Sequence, residues 1–332
     1  MPVPRDMSDE PARVVLDGAT GTELERRGAR MAAPLWSAHA LLDDPAQVRA
    51  VHRDYLAAGA QVLTTNTFRT HARNLRAGGL ERRAAELTAL AVRLACEARD
   101  ELARERPDVA GARVAGSISP LEDCFRPDDS PGARAGPEHR EIAEQLVDAG
   151  ADLLLIETMG RVDEARAAVA AAQGLGRPIW LAVVARADGR LLAGEPLPAL
   201  LAALADLELQ ALLLNCTELG HLGAALPALV SAAADRPALL LGAYPHTGHA
   251  DPQGGWQTHA VTAETFADEL AAWSARLPRL TLLGGCCGST PAWISALAGR
   301  VHPDPAARAR GFACLAAAVP RASARDSPRE AR

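Results

Sequence analysis

Short apolar runs alternate along the chain with longer stretches rich in alanine, leucine and arginine. The runs are RVVLDGA (13–19), QVLTTNTF (61–68), RVAGSIS (113–119), DLLLIET (152–158), PIWLAVV (178–184), ALLLNCT (211–217), ALLLGAY (238–244) and LTLLGGC (280–286). Each gives out into small or polar residues and is followed by apolar positions at helical spacing. The pattern predicts eight strands, with helices over 45–58, 81–105, 138–149, 162–173, 197–207, 222–234, 262–276 and 290–299. Asp44 before Pro45 and Thr290 before Pro291 read as N-caps: a side-chain oxygen takes an orphan backbone N–H, and proline suits the first helical position.

Runs that are apolar throughout belong to strands covered on both faces. Eight of them joined by helices predict a closed α/β (β/α)8 TIM barrel, with an open doubly wound sheet as the second arrangement the pattern allows. No composition shift divides the chain, so one barrel domain is expected over 12–319. The charged, Pro/Ser-rich ends, 1–11 and 320–332, are expected to be disordered tails. The stretch 120–137, PLEDCFRPDDSPGARAGP, has no periodicity; it is either a loop at the mouth of a site or a surface excursion.

Composition narrows the function classes. The chain has 332 residues, 48% hydrophobic and 23% charged, enough to bury a large core. Net charge is −6 and all 35 basic residues are arginine, which reads as coding bias. With aromatics at 3% and no basic stripe, nucleic acid is not an expected partner. The apolar runs are too short for a membrane span. The N-terminus has no apolar signal core, so the expected compartment is the cytoplasm, where Cys96, Cys124, Cys216, Cys286, Cys287 and Cys314 stay thiols rather than forming a disulfide framework.

In a barrel of this type chemistry sits at the C-terminal ends of the strands. There the sequence places Asp17, Gly18, Thr65, Asn66, Thr67, Ser117, Ser119, Glu157, Thr158, Asn215, Cys216, Tyr244, His246, Cys286 and Cys287. Three cysteines from two strand ends can meet at one point. Three thiolates suit zinc and leave its fourth, tetrahedral position open for water or substrate. The alternatives are buried cysteines acting as small hydrophobes and a strained vicinal disulfide. An open zinc site would convert a substrate thiol, otherwise largely protonated near neutrality, into a nucleophile for attack on a methyl group. Asp17 and Glu157 would then suit the ammonium of an amino-acid substrate; their other reading is a buried or capping pair.

The motifs LDGATGTEL, APLWSAHALL, VHRDYLAAGAQVLTTNTF, DLLLIET, LLLNCTELG and GGCCGSTPAWI, in this order over residues 13–299, resemble the homocysteine S-methyltransferase family. The resemblance implies a (β/α)8 barrel in which Cys216, Cys286 and Cys287 hold Zn2+ and homocysteine binds as the fourth ligand through sulfur. It implies that Asp17 and Glu157 take the amino group, that residues 18–22 lie against the substrate, and that Thr65, Asn66 and Thr67 line the pocket. Asn215, polar and on the same rim, joins Gly18 as a substrate-binding candidate. The implied activity is methyl transfer from a cationic donor to homocysteine, giving methionine. S-methylmethionine is the first choice of donor; betaine, another sulfonium or a methylated corrinoid protein are the others. A different thiol or selenol acceptor, or a zinc barrel that binds thiols without turnover as part of a methyl-transfer assembly, are the competing functions. The chain departs from many relatives at AYPHTGH, where His246 replaces an asparagine, and at SISPLEDCFRP after the third strand. Those two regions, 244–256 and 120–137, are expected on the donor side.

Overall fold

The computed structural model describes residues 11–251, 255–257 and 261–322. All eight predicted runs contain strands: β1 (Val14–Val15), β2 (Val62–Thr64), β3 (Arg113–Ile118), β4 (Leu153–Met159), β5 (Ile179–Val183), β6 (Ala211–Glu218), β7 (Leu240–His246) and β8 (Leu280–Leu283). Each pairs in parallel with its neighbours. The first and second strands also meet. Leu16 bridges Val62, the Gln61 N–H donates to the Val15 carbonyl at 2.7 Å, and the Asp17 N–H donates to the Val62 carbonyl at 3.0 Å. A doubly wound sheet needs two free edges; here the ring closes, and the fold is the (β/α)8 barrel.

Around the ring run α1 (Thr20–Arg26), α2 (Ala38–Asp43), α3 (Pro45–Ala57), α4 (Ala72–Arg76), α5 (Ala84–Glu105), α6 (Gly136–Asp148), α7 (Val162–Ala172), α8 (Leu197–Ala203), α9 (Leu222–Ala232), α10 (Ala263–Arg276), α11 (Pro291–Val301) and α12 (Pro305–Ala318). The two predicted caps form: Asp44 accepts from the Gln47 N–H and Thr290 from the Ala292 N–H. Strand side chains alternate between two cores. Leu153, Leu155 and Leu213 point into the barrel with Leu16, Val62, Trp180 and Leu282, while Leu154, Ile156, Leu212 and Leu214 face the helices. Burial on both faces is why these runs carry no polar alternation.

The short helices α1, α2 and α4 lie in loops that strand-and-helix periodicity did not resolve. More consequential is α12, which caps the N-terminal end of the barrel. Its Leu315, with Val319 just beyond it, joins the interior cluster. Arg113 donates to the Val319 carbonyl at 2.7 Å and Gln61 to the Arg308 carbonyl at 3.2 Å. Past the helix, Arg321 pairs with Asp100 and the Ala322 N–H donates to buried Asp152 at 2.9 Å. The chain is therefore fastened as far as 322. The rest of the two expected tails, 1–10 and 323–332, lies outside the described residues. Among the described residues no helix is long and apolar enough to cross a membrane.

Candidate active site

Two strand ends leave regular β geometry where the chemistry is expected. The register of β4 against β5 shifts between Ile156 and Met159, and that of β6 against β7 between Asn215 and Glu218. Within these bulges Thr158 (φ 62°) and Cys216 (φ 44°) adopt left-handed backbone, which costs a non-glycine residue about 1–3 kcal/mol and is unusual for a β-branched one. The distortion is held in place by Asn215. Its Oδ1 accepts from the Thr158 N–H at 3.0 Å and its Nδ2 donates to the Thr158 hydroxyl at 2.8 Å. Asn215 is fully buried and does not line the cavity, so its side chain is occupied in fixing the two bulges that present Glu157 and Cys216.

Those bulges open on a cavity of about 690 Å3 at the C-terminal end of the barrel. Asp17 and Glu157 both line it. The Thr64 N–H and hydroxyl donate to the two Asp17 oxygens at 2.7 and 2.8 Å. Glu157 accepts from the Ser117 hydroxyl at 2.5 Å and the Tyr244 hydroxyl at 3.1 Å. Burial outweighs these donors. It pushes the Asp17 carboxyl up to about 8, with the Glu157 charge adding to the rise, and the Glu157 carboxyl up to about 7. Two carboxyl groups raised by desolvation, each with its donors already in place, form a site suited to a cation.

The three rim cysteines converge on the same cavity. The Cys216 Sγ lies 2.7 Å from that of Cys286 and 3.5 Å from that of Cys287, and all three ligand atoms fall within 4.8 Å of one another. For bonds of about 2.3 Å a tetrahedral metal places its sulfurs about 3.8 Å apart, so the trio fits one thiophilic ion with a fourth side open to the cavity. The thiols already share protons unevenly. Hydrogen bonds from Cys216 and then Cys286 hold Cys287 well below its ordinary range, while contacts with Cys286 and Cys287 push Cys216 far above. No disulfide links them, so the vicinal-disulfide reading of Cys286 and Cys287 does not describe this state.

The loop carrying Cys286 and Cys287 and the β1 loop are locked together by residues the sequence reading did not single out. The fully buried Tyr55 hydroxyl on α3 bridges the Ala19 and Ser289 carbonyls at 3.0 Å each. Ser289 donates to the Cys286 carbonyl at 2.7 Å and accepts from the Ala19 N–H at 3.2 Å. A Cβ on Gly18 would stand 2.6 Å from the Ser289 Oγ, and one on Gly285 2.4 Å from it, so both glycines are required by close approach. The expected result for Tyr55→Phe is a folded protein whose cysteine cluster binds metal about tenfold more weakly in chelator competition. Unchanged affinity would show that the bridge does not position the cluster.

Of the other predicted residues, Gly18, Thr65 and Asn66 line the cavity, whereas Thr67 lies behind it, donating to the Ser117 carbonyl at 2.7 Å. Asn66 lines it from a fixed position, since its amide donates to the Ser37 carbonyl at 2.9 Å. The 120–137 segment is a wall of the site: Leu121, Glu122, Asp123, Cys124 and Phe125 face the cavity, and short 3-10 turns follow. Buried Glu164 on α7 pins that wall through the Leu121 N–H at 3.0 Å and the Ser130 hydroxyl at 2.5 Å. Tyr244 also lines the cavity; His246 is buried beside it without lining it. Residues 252–254 of the 244–256 segment lie outside the described residues. Cys96 and Cys314 sit on α5 and α12 and do not line the cavity.

The arrangement has close counterparts. The sequence model of the homocysteine S-methyltransferase family matches residues 14–301. The homocysteine S-methyltransferase of Escherichia coli is 36% identical over 89% of this chain and 97% of its own. The Bacillus subtilis homocysteine S-methyltransferase YbgG is 32% identical over 86% of this chain and 93% of its own. Among solved structures, the metallated form of the E. coli homocysteine methyltransferase MmuM superposes with a TM-score of 0.76 at 34% identity, covering 89% of this chain and 99% of that one.

Proposed function

The chain belongs to the homocysteine S-methyltransferase family, and from that premise we propose that residues 12–319 form one homocysteine-binding barrel that moves a methyl group from a cationic donor, S-methylmethionine first, to homocysteine held on zinc. The observation that carries this reading is the convergence of three cysteine sulfurs and two cation-seeking carboxyls on one cavity. Cys216, Cys286 and Cys287 would hold the zinc, which would supply a Lewis acid that lowers the acceptor thiol's pKa so that its proton passes to solvent, while three thiolates would keep the sulfur electron-rich.

The protein's own groups do the rest. Asp17 and Glu157 take the acceptor ammonium, whose charge compensates the desolvation that raises both carboxyls when the cavity lacks a cation. Ser117, Thr64 and Tyr244 hold those carboxyls in fixed directions, so the acceptor sulfur is aimed rather than merely bound. An electron pair on the acceptor sulfur forms the new S–CH3 bond. The donor's methyl–sulfur pair leaves with the donor sulfur, which passes from sulfonium to neutral thioether. No redox partner is involved.

The test is methionine formation by zinc-loaded protein from homocysteine and methyl-labelled S-methylmethionine, with betaine as second donor and selenocysteine as second acceptor. Labelled methionine is the expected product. Failure with every donor overturns the reading. A homocysteine-dependent change at the metal without donor consumption would favour a binding protein.

A further inference from the structure

Beyond the thiolates and the carboxyl pair, the cavity is walled by Phe68, Arg69, Arg73, Asn74 and residues 121–125. Its two arginines are in different situations. Arg73 is neutralised on both sides, by Glu122 at 2.7 Å and by Glu138 through two contacts at 2.5 and 2.9 Å. Arg69 has no carboxylate at ion-pair distance among the described residues, and none of its guanidinium N–H groups donates to a protein acceptor there. Its guanidinium lies over the Phe68 ring, 5.3 Å from the centroid, which covers one face and leaves the donor edge open. The backbone beneath it is fixed. Asn74 donates to the Arg69 carbonyl at 3.0 Å and Ser119 to the Phe68 carbonyl at 2.7 Å.

The charge pattern of the cavity is therefore polar. One end gathers Asp17, Glu157 and the three cysteines, and the wall holds the Arg69 guanidinium together with Asp123, whose carboxylate accepts from the Phe125 N–H at 3.0 Å. Cys124, on the same wall, feels both Arg69 and Cys287. Its thiol, pushed up to about 12 mainly by burial, is lowered by the Arg69 charge and raised by that of Cys287, so both charges act on one side chain. A cavity of about 690 Å3 also has room for more than one amino-acid-sized molecule, since pockets of ~300–1,000 Å3 take drug-sized ligands.

We propose that Arg69 holds the carboxylate of the onium methyl donor and is the residue that selects a donor carrying one. In this arrangement the onium carbon lies toward the thiolates and the carboxylate on the guanidinium fork. A simple trialkylsulfonium gains nothing at Arg69 and is not oriented by it. The proposal rests on the methyltransferase reading and selects a class of donor within it.

The experiment compares S-methylmethionine with its carboxamide, which keeps the sulfonium and the ammonium but loses the carboxylate. Both are assayed as donors to homocysteine with zinc-loaded wild type and Arg69→Gln, and both are titrated calorimetrically against each protein. Wild type is expected to favour the acid at least about tenfold in kcat/KM and in affinity, the usual scale of a hydrogen bond to a charged group. In Arg69→Gln that preference is expected to collapse to about twofold or less, by loss on the acid arm. An acid preference that survives in the variant, or a wild type indifferent to the carboxylate, overturns the proposal. If neither donor is turned over, the methyltransferase reading with sulfonium donors falls, and the titrations alone decide whether Arg69 selects a carboxylate.

Discussion

Replacing Cys287 with alanine is expected to empty the metal site and lower methionine formation on the order of 10^3-fold or more, with the barrel intact. Two thiolates leave the ion with two foreign positions, and zinc held that way is lost to modest chelation. The acceptor then returns to a free thiol with a pKa near 8.5, only a few per cent ionised near neutrality, and loses the tether that made its attack effectively intramolecular. Cys216→Ala and Cys286→Ala are expected to do the same. The fold survives because the cysteines stand on the rim, above a core built from Leu16, Val62, Leu153, Leu155, Trp180, Leu213 and Leu282. Metal analysis, circular dichroism and turnover on one preparation decide the matter, with Cys96→Ser on α5 as the thiol control. Stoichiometric zinc in any two of the three alanine variants would remove the cluster from consideration as the metal site.

Asp17→Asn is expected to cost on the order of 10^2-fold or more in kcat/KM for homocysteine while making the ligand-free protein more stable in alkaline buffer. The substitution preserves the local bonding: an amide oxygen can accept from the Thr64 N–H, and the Thr64 hydroxyl can accept from the amide nitrogen instead of donating. Only the charge is removed. The acceptor ammonium then loses a buried counter-charge, which is strongly unfavourable where water is excluded.

The stability effect follows from proton linkage. Asp17 titrates at about 8 in the fold against 3.8 unfolded, so between those values the native state binds more protons than the unfolded one. Its contribution is complete below pH 3.8 and is lost as pH rises through 8, in the amount of a few kcal/mol. Glu157, at about 7, acts in the same sense. Buried His52 and His71, lowered by desolvation to about 4 and about 3, act oppositely, and their contribution is complete above 6.5. Above pH 6.5 the two histidines no longer change, but Cys287, held well below its unfolded value of 9.0, gains stability as pH rises across pH 6.5–8.5, so the diagnostic quantity there is the difference between wild type and Asp17→Asn. In denaturant titrations of the zinc-free proteins, wild type should lose stability relative to Asp17→Asn across this window. A difference that stays constant or moves the other way contradicts the assignment.

Much of this site was legible before folding. Asp17, Glu157, Cys216, Cys286 and Cys287 announce themselves because each interrupts the apolar grammar of a strand at its C-terminal end, where the barrel places its chemistry. Gly18 and Gly285 were visible as glycines beside them, though not their shared reason, the Ser289 hydroxyl. Tyr55 was hidden because an aromatic residue in an amphipathic helix looks like core, which it also is. Asn215 was readable as polar at a strand end but not as the clamp on Thr158, since the two lie on different strands and periodicity carries no register between strands. Arg69 was one arginine among 35, set apart only by what does not surround it.

By itself, then, the sequence determined the alternation of eight apolar strands with helices, the helix starts at Pro45 and Pro291, and which residue types end each strand; these are local consequences of periodicity and capping. The tertiary structure decided everything that depends on distance across the ring. Closure through Leu16 and Val62, the α12 plug, the meeting of Cys216 with Cys286 and Cys287, and the placing of Arg69 on the wall of the same cavity all arise between residues far apart in the chain. A chain pattern records what each residue prefers nearby; only packing fixes which preferences are brought face to face.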